Sequence, residues 1–182
     1  MEPLPLSQWE NFYVIVGSAA AGLTGLTFVV IALIRDVANV RPTGLSAFVT
    51  PTIVHFGGVL ALAAFLSMPD LTVRILSAAF ALGGFAGVAY GLFIAGTLRG
   101  FAASMRAQES AYIPVREDWI WNVVLPTLAY AALLVTGVLI WHHPVAALHA
   151  VATLSLVLLF IGIRNAWDIA VWMTTHGPPP SQ

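Results

Sequence analysis

Apolar residues fill five long stretches of this chain, with polar residues as punctuation: Asn11–Ile34, Leu45–Met68, Ile75–Leu98, Trp119–Trp141 and Val145–Ile163. A hydrocarbon core of about 30 Å takes roughly 20 helical residues, so each stretch is long enough to span a bilayer. The runs are continuously apolar, without the period-two alternation of barrel strands, and therefore predict helices. The breaks agree. Arg41-Pro42-Thr43-Gly44 precedes the second stretch, Met68-Pro69-Asp70 ends it, and His143-Pro144 opens the fifth. Each places proline or a capping side chain where a helix should start or stop. The expected fold is all-α: one polytopic domain over residues 1–176, a bundle of five transmembrane helices, with the fifth continuing to about Met173. The tail from Gly177 to Gln182, rich in proline, should be flexible.

Composition sharpens the class. Of 182 residues, 59% are hydrophobic and 8% charged, with a mean hydropathy of +0.91. Soluble domains carry about 25% charged residues, so this chain cannot coat a globule in water and is neither a soluble enzyme nor disordered. With no cysteine, it has no disulfide or thiolate site. A net charge of −1 gives no footprint for nucleic acid.

Charge and aromatic positions set an orientation. Arg35 and Arg41 fall between the first and second stretches, and Arg99, Arg106 and Arg116 between the third and fourth. Arg74 lies at a span edge, beside Asp70. Positive loops stay cytoplasmic, which puts the N-terminus outside and the C-terminus inside. Trp9 and Trp141 then fall at outer ends, and Trp119, Trp121, Trp167 and Trp172 at inner ends, as an aromatic belt requires. The start Met1-Glu2-Pro3-Leu4-Pro5 lacks the positive region of a signal peptide. Around Phe101–Tyr112 the longest loop is amphipathic, suited either to the inner leaflet or to a solvated linker.

Small residues mark packing faces. Gly83, Gly87 and Gly91 recur at four-residue spacing in the third stretch, and Gly17, Ala21 and Gly25 in the first. Such faces let backbones approach closely in lipid. They either pack the first and third helices together or join subunits of a homo-oligomer.

The second and fourth stretches share a device. Pro51-Thr52 is followed by His55, and Pro126-Thr127 by Tyr130. Two related hairpins plus one helix would explain the match; chance is the other reading. Each proline kinks its helix and frees the carbonyl four residues earlier, at Ala47 and Asn122. Proline-interrupted segments in matching positions point to a transporter site, or to two kinked helices that only pack. His55 lies near the bilayer middle, where an ionisable group is costly and so a functional candidate; the plainer reading is a neutral histidine bonded to a neighbouring helix. Arg164 and Asp168 sit i,i+4 and can pair, as an orientation anchor, an inner gate or a headgroup site.

Other chemistry is weaker. His142, His143 and His149, with Glu10, Asp70 and Arg74 as possible neighbours, lack the i,i+4 spacing of helical metal pairs, so no metal is expected. A haem between His55 and His149 meets a depth mismatch of ~12 Å at 1.5 Å per residue. No HExxH, GxSxG, P-loop or Rossmann pattern occurs. The chain is expected to be no enzyme and to need no cofactor.

Three segments carry a resemblance. Trp9-Glu10-Asn11-Phe12 leading into Gly17-Ser18-Ala19-Ala20-Ala21-Gly22-Leu23-Thr24-Gly25-Leu26 is one; Thr50-Pro51-Thr52-Ile53-Val54-His55-Phe56 and Ile163-Arg164-Asn165-Ala166-Trp167-Asp168 are the others. Together they resemble a group of small bacterial inner-membrane proteins without established function. The resemblance implies a bacterial plasma membrane and attaches no activity.

Two functions fit. One is a small channel or transporter, homo-oligomeric because five helices leave little room for a pathway. Thr52, His55, Asn122, Thr127 and Tyr130 would line it, with Arg164 and Asp168 at its inner mouth. The other is a non-catalytic modulator, assembly factor or accessory subunit that touches another membrane protein through the glycine faces.

Overall fold

The computed structural model describes residues 6–37, 42–107 and 116–176. Among them the chain is all-α. A short 3-10 turn, Leu6–Trp9, leads into α1, Glu10–Val37. Next come α2, Pro42–Leu66, and α3, Val73–Ala107. We denote as α4 the continuous rod Arg116–Leu139, and as α5 the helix Pro144–His176. Stretches of α1, α3, α4 and α5 are long and apolar enough to cross a membrane, whereas the apolar part of α2 described there, Thr50–Leu66, is shorter. Expectations resting on Arg41, on residues 108–115 and on the 177–182 tail lie outside the described residues, as do the side chains of Arg35, Arg106 and Trp172.

Local chemistry sets the helix ends. Pro42 and Pro144 are the first residues of α2 and α5, where a missing N–H costs nothing. After α2 the chain turns through Asp70, at φ 57°, a left-handed conformation that aspartate tolerates. Thr72 Oγ1 then accepts the Ile75 N–H at 3.4 Å to cap α3. Between α4 and α5 the N–H groups of His142 and His143 close onto the Leu139 carbonyl at 3.0 and 2.9 Å. Several stretches run beyond their expected limits. The first part of the amphipathic loop simply continues α3 to Ala107, and α5 is one helix to His176.

The packing pairs α1 with α2 and α3 with α4, while α5 lies along both α2 and α4. The expected association of α1 with α3 is not a main packing among the described residues: α3 lies along α4, and α1 along α2. The glycine face of α3 serves α4, and Gly17 on the face of α1 serves α2. A Cβ on Gly87 would overlap the Tyr130 ring of α4, one on Gly84 the Leu134 backbone, and one on Gly91 the Thr127 hydroxyl. On α1, a Cβ at Gly17 would stand 3.0 Å from Ala63 Cβ of α2, but Gly25 has nothing within 4 Å and Ala21 is exposed. Half of the α1 face is therefore unused within the chain.

All five helices meet near the Trp9 and Trp141 ends, where Tyr13, Leu66, Phe80, Leu133 and Val151 are buried together. A second cluster at mid-height joins Val16, Phe56, Tyr130 and Leu158. The exterior is strongly apolar, with Leu82 and Ile15 each 69% exposed and Phe85 66%. Such a surface is a liability in water and normal against hydrocarbon.

Candidate functional site

The site grows from two equivalent turns. On α2, Thr52 and His55 sit i,i+3 on one face, and both are fully buried. On α4, Thr127 and Tyr130 repeat that spacing, and Tyr130 is buried too. The two rings meet: His55 Nδ1 lies 3.1 Å from the Tyr130 hydroxyl, with ring centroids 5.8 Å apart. Glycines make the approach possible. The Tyr130 ring lies on Gly87 of α3, and its oxygen sits 3.4 Å from where a Cβ of Gly58 would stand. This contact joins the residue four positions after Pro51 to the residue four positions after Pro126.

One atom of the pair is left over. His55 Nε2 is buried and has no hydrogen-bond partner. Each neutral imidazole presents one donor and one acceptor nitrogen, so whichever tautomer serves Tyr130, Nε2 carries an unmet demand. The Thr127 hydroxyl is in the same position, buried over Gly91 without a partner. It differs from Thr24, Thr136 and Ser155, whose hydroxyls donate to the carbonyls four residues back at 2.8, 2.8 and 2.9 Å. Tyr13 and Tyr90 also bury unpartnered hydroxyls. Neither was singled out by pattern, because a tyrosine in an apolar run reads as packing.

Below this pair α4 changes pitch. Residues Ile120–Val124 form a π-helix, closed by the Leu125 N–H on the Ile120 carbonyl. The cause is Pro126, which supplies no N–H to the Asn122 carbonyl and crowds it. A π-turn widens the helix just before the proline, whereas the sequence suggested a simple kink. Such turns are rare and concentrate at functional sites. Asn122 is buried within it, and its Nδ2 donates to the Asp118 carbonyl at 3.0 Å. Pro51 has no such effect, since α2 runs through it as α-helix.

Arg164 and Asp168 do pair across one turn of α5. Arg164 also reaches Glu117 of α4 at 3.7 Å and lies over the Trp121 ring, 5.2 Å from its centroid. Beside it, Asn165 Nδ2 donates to the Trp121 carbonyl at 3.4 Å. Glu117 was missed because only the tertiary approach of α5 gives it a partner. This cluster is separate from His55: Trp121 and Tyr130 are nine positions apart on α4, about 13 Å of helix rise.

The histidines at the far end do other work. His149 meets the Trp9 ring edge-on at 4.7 Å and donates from Nδ1 to the Val145 carbonyl at 2.9 Å. Among the described residues, no three His, Asp or Glu side chains gather as a metal site would need.

The fold and site thus define an all-α protein with apolar helices compatible with a membrane and a buried polar pair between α2 and α4. No protein family, curated protein or solved structure matches the chain.

Proposed function

We propose that this is a five-span integral membrane protein acting as a small channel or transporter for an ion or small solute, with His55 and Tyr130 at the working site. The observation that carries the reading is His55 Nε2, an ionisable side chain's nitrogen buried at mid-height without a partner. Ionisable groups at that depth are costly and are functional candidates by default. Thr52, Thr127 and Asn122 extend the polar lining, and the Arg164–Asp168 pair bounds its inner end. The π-turn before Pro126 gives α4 a segment able to change pitch.

The proposed setting is a bacterial plasma membrane, in contact with its lipid, N-terminus outside and C-terminus cytoplasmic, following the arginine and tryptophan positions and the resemblance to small bacterial inner-membrane proteins. A homo-oligomer fits this reading. The second reading, an accessory subunit of a larger membrane complex, draws on the unused α1 face at Ala21 and Gly25.

Native mass spectrometry of the protein released gently from its own membranes separates the two. A lone homo-oligomer supports transport. A stoichiometric second protein overturns it in favour of the accessory role.

A further inference from the structure

We infer that the species carried is the proton, passed between the His55 imidazole and the Tyr130 hydroxyl; this rests on the transport reading above. The first support is lack of room. The Tyr130 ring occupies the space over Gly87 of α3, its oxygen nearly touches the Gly58 position of α2, and Phe56, next to His55, lies on Gly162 of α5. A larger ion replaces its hydration shell with several ligands around a cavity. A proton needs only a donor and an acceptor at hydrogen-bond distance, here 3.1 Å apart.

The second support is a set of buried protonatable atoms without partners. His55 Nε2, Thr127 Oγ1, Tyr90 Oη and Tyr13 Oη are all of this kind. Thr127 lies one turn from Tyr130 on the Arg164 side. Tyr13 packs in the cluster of Leu133, one turn towards the other end. Single waters, which need far less space than a hydrated ion and two or more polar partners each, would link such atoms into a path.

The step balances. A hydronium on one side gives a proton to His55 Nε2. The Nδ1–H bond breaks as its proton passes to the Tyr130 oxygen, and the phenol releases its original proton to a water on the other side. Imidazole and phenol end neutral with the proton on Nε2; the first tautomer returns when Nε2 gives its proton to a neighbouring water and Nδ1 takes one from water. Tyr130 from α4 is the titratable group bonded to His55, and α3 contributes Tyr90, whose buried hydroxyl has no partner. At the same level α1 and α5 bring Val16, Ala20, Leu158 and Leu159, which carry no charge.

The test uses the purified full chain in phosphatidylethanolamine–phosphatidylglycerol vesicles holding a pH-sensitive dye. Potassium and valinomycin set the potential, and sodium, potassium and chloride fluxes are followed in parallel. The expected result is proton flux that persists when choline replaces sodium, slows in D2O, and falls to the protein-free level in His55→Phe. Tyr130→Phe removes one oxygen and keeps the packed ring, so its loss of flux in a folded protein excludes misfolding as the cause. A His55-dependent flux of another ion without proton flux overturns the proton assignment and keeps the transport reading. No flux of any ion overturns both.

Discussion

Tyr130 reaches His55, 3.1 Å away on α2, because Gly87 on α3 offers its ring bare backbone to lie on. Three helices are committed by one side chain: its backbone is on α4, its ring on α3, its hydroxyl at α2. The missing Cβ of Gly87 is thus part of how the polar pair is built. In hydrocarbon, where apolar surface gives no drive for helices to associate, such close packing and a buried hydrogen bond are what remain to fix helix positions.

Gly87→Ala should therefore destabilise. The added Cβ would overlap the Tyr130 ring, and overpacking of this kind costs about 1–3 kcal/mol. Gly83→Ala, whose nearest neighbour is Leu133 Cδ2 at 3.9 Å, and Gly25→Ala, with nothing within 4 Å, should be tolerated. Thermal unfolding of the three variants in one detergent checks the order; equal losses would mean that the glycine spacing, and not the Tyr130 contact, matters.

The His55–Tyr130 bond should register as a coupling. Tyr130→Phe strands Nδ1 as well as Nε2, and a buried group left unpaired costs about 1–3 kcal/mol. His55→Leu strands the phenol at similar cost, but the double variant strands neither, so its loss should be smaller than the sum. A double-mutant cycle measures this. Strict additivity would show that the two rings do not bond.

The π-turn makes a separate forecast. Pro126→Ala restores an N–H to α4, and Ile120–Val124 should tighten into α-helix. Hydrogen exchange over those residues should slow. Unchanged exchange would place the cause of the turn elsewhere, for instance in the Asn165 contact with the Trp121 carbonyl.

How far the sequence foretells this arrangement depends on which force decides each feature. Length and unbroken hydrophobicity fix α1 to α5, and i,i+4 spacing suffices for Arg164 and Asp168. Helix neighbours are another matter. Lipid tails are as apolar as leucine, so Leu82, 69% exposed, and Leu76, fully buried, look alike in sequence. For the same reason the glycine face of α3 announces a close contact without naming its partner, which is α4 and not α1. Matching Pro-Thr turns on α2 and α4 did point to the two rings that meet, because both sit four residues after a proline. Glu117 and the tyrosines at 13 and 90 gave no local signal, since their surroundings come from other helices.

At the Arg164 end, charge should matter little and the amide more. Arg164 is about a third exposed and Glu117 mostly so, and ion pairs of that kind contribute roughly 0–1 kcal/mol. Glu117→Gln should shift stability slightly, and less at high salt. Asn165→Leu buries the Trp121 carbonyl without its donor, at about 1–3 kcal/mol. Denaturation of both at two salt concentrations checks this, and a larger, salt-dependent loss for Glu117→Gln would reverse the ranking.

On the proposed function, the His55–Tyr130 pair is a working site and not packing. The most direct measurement is flux through vesicles holding purified protein, wild type against His55→Ala, with circular dichroism and elution volume confirming that the variant is folded. His55→Ala is expected to abolish flux. Equal flux in a folded His55→Ala protein would contradict it and leave His55 as a packing residue.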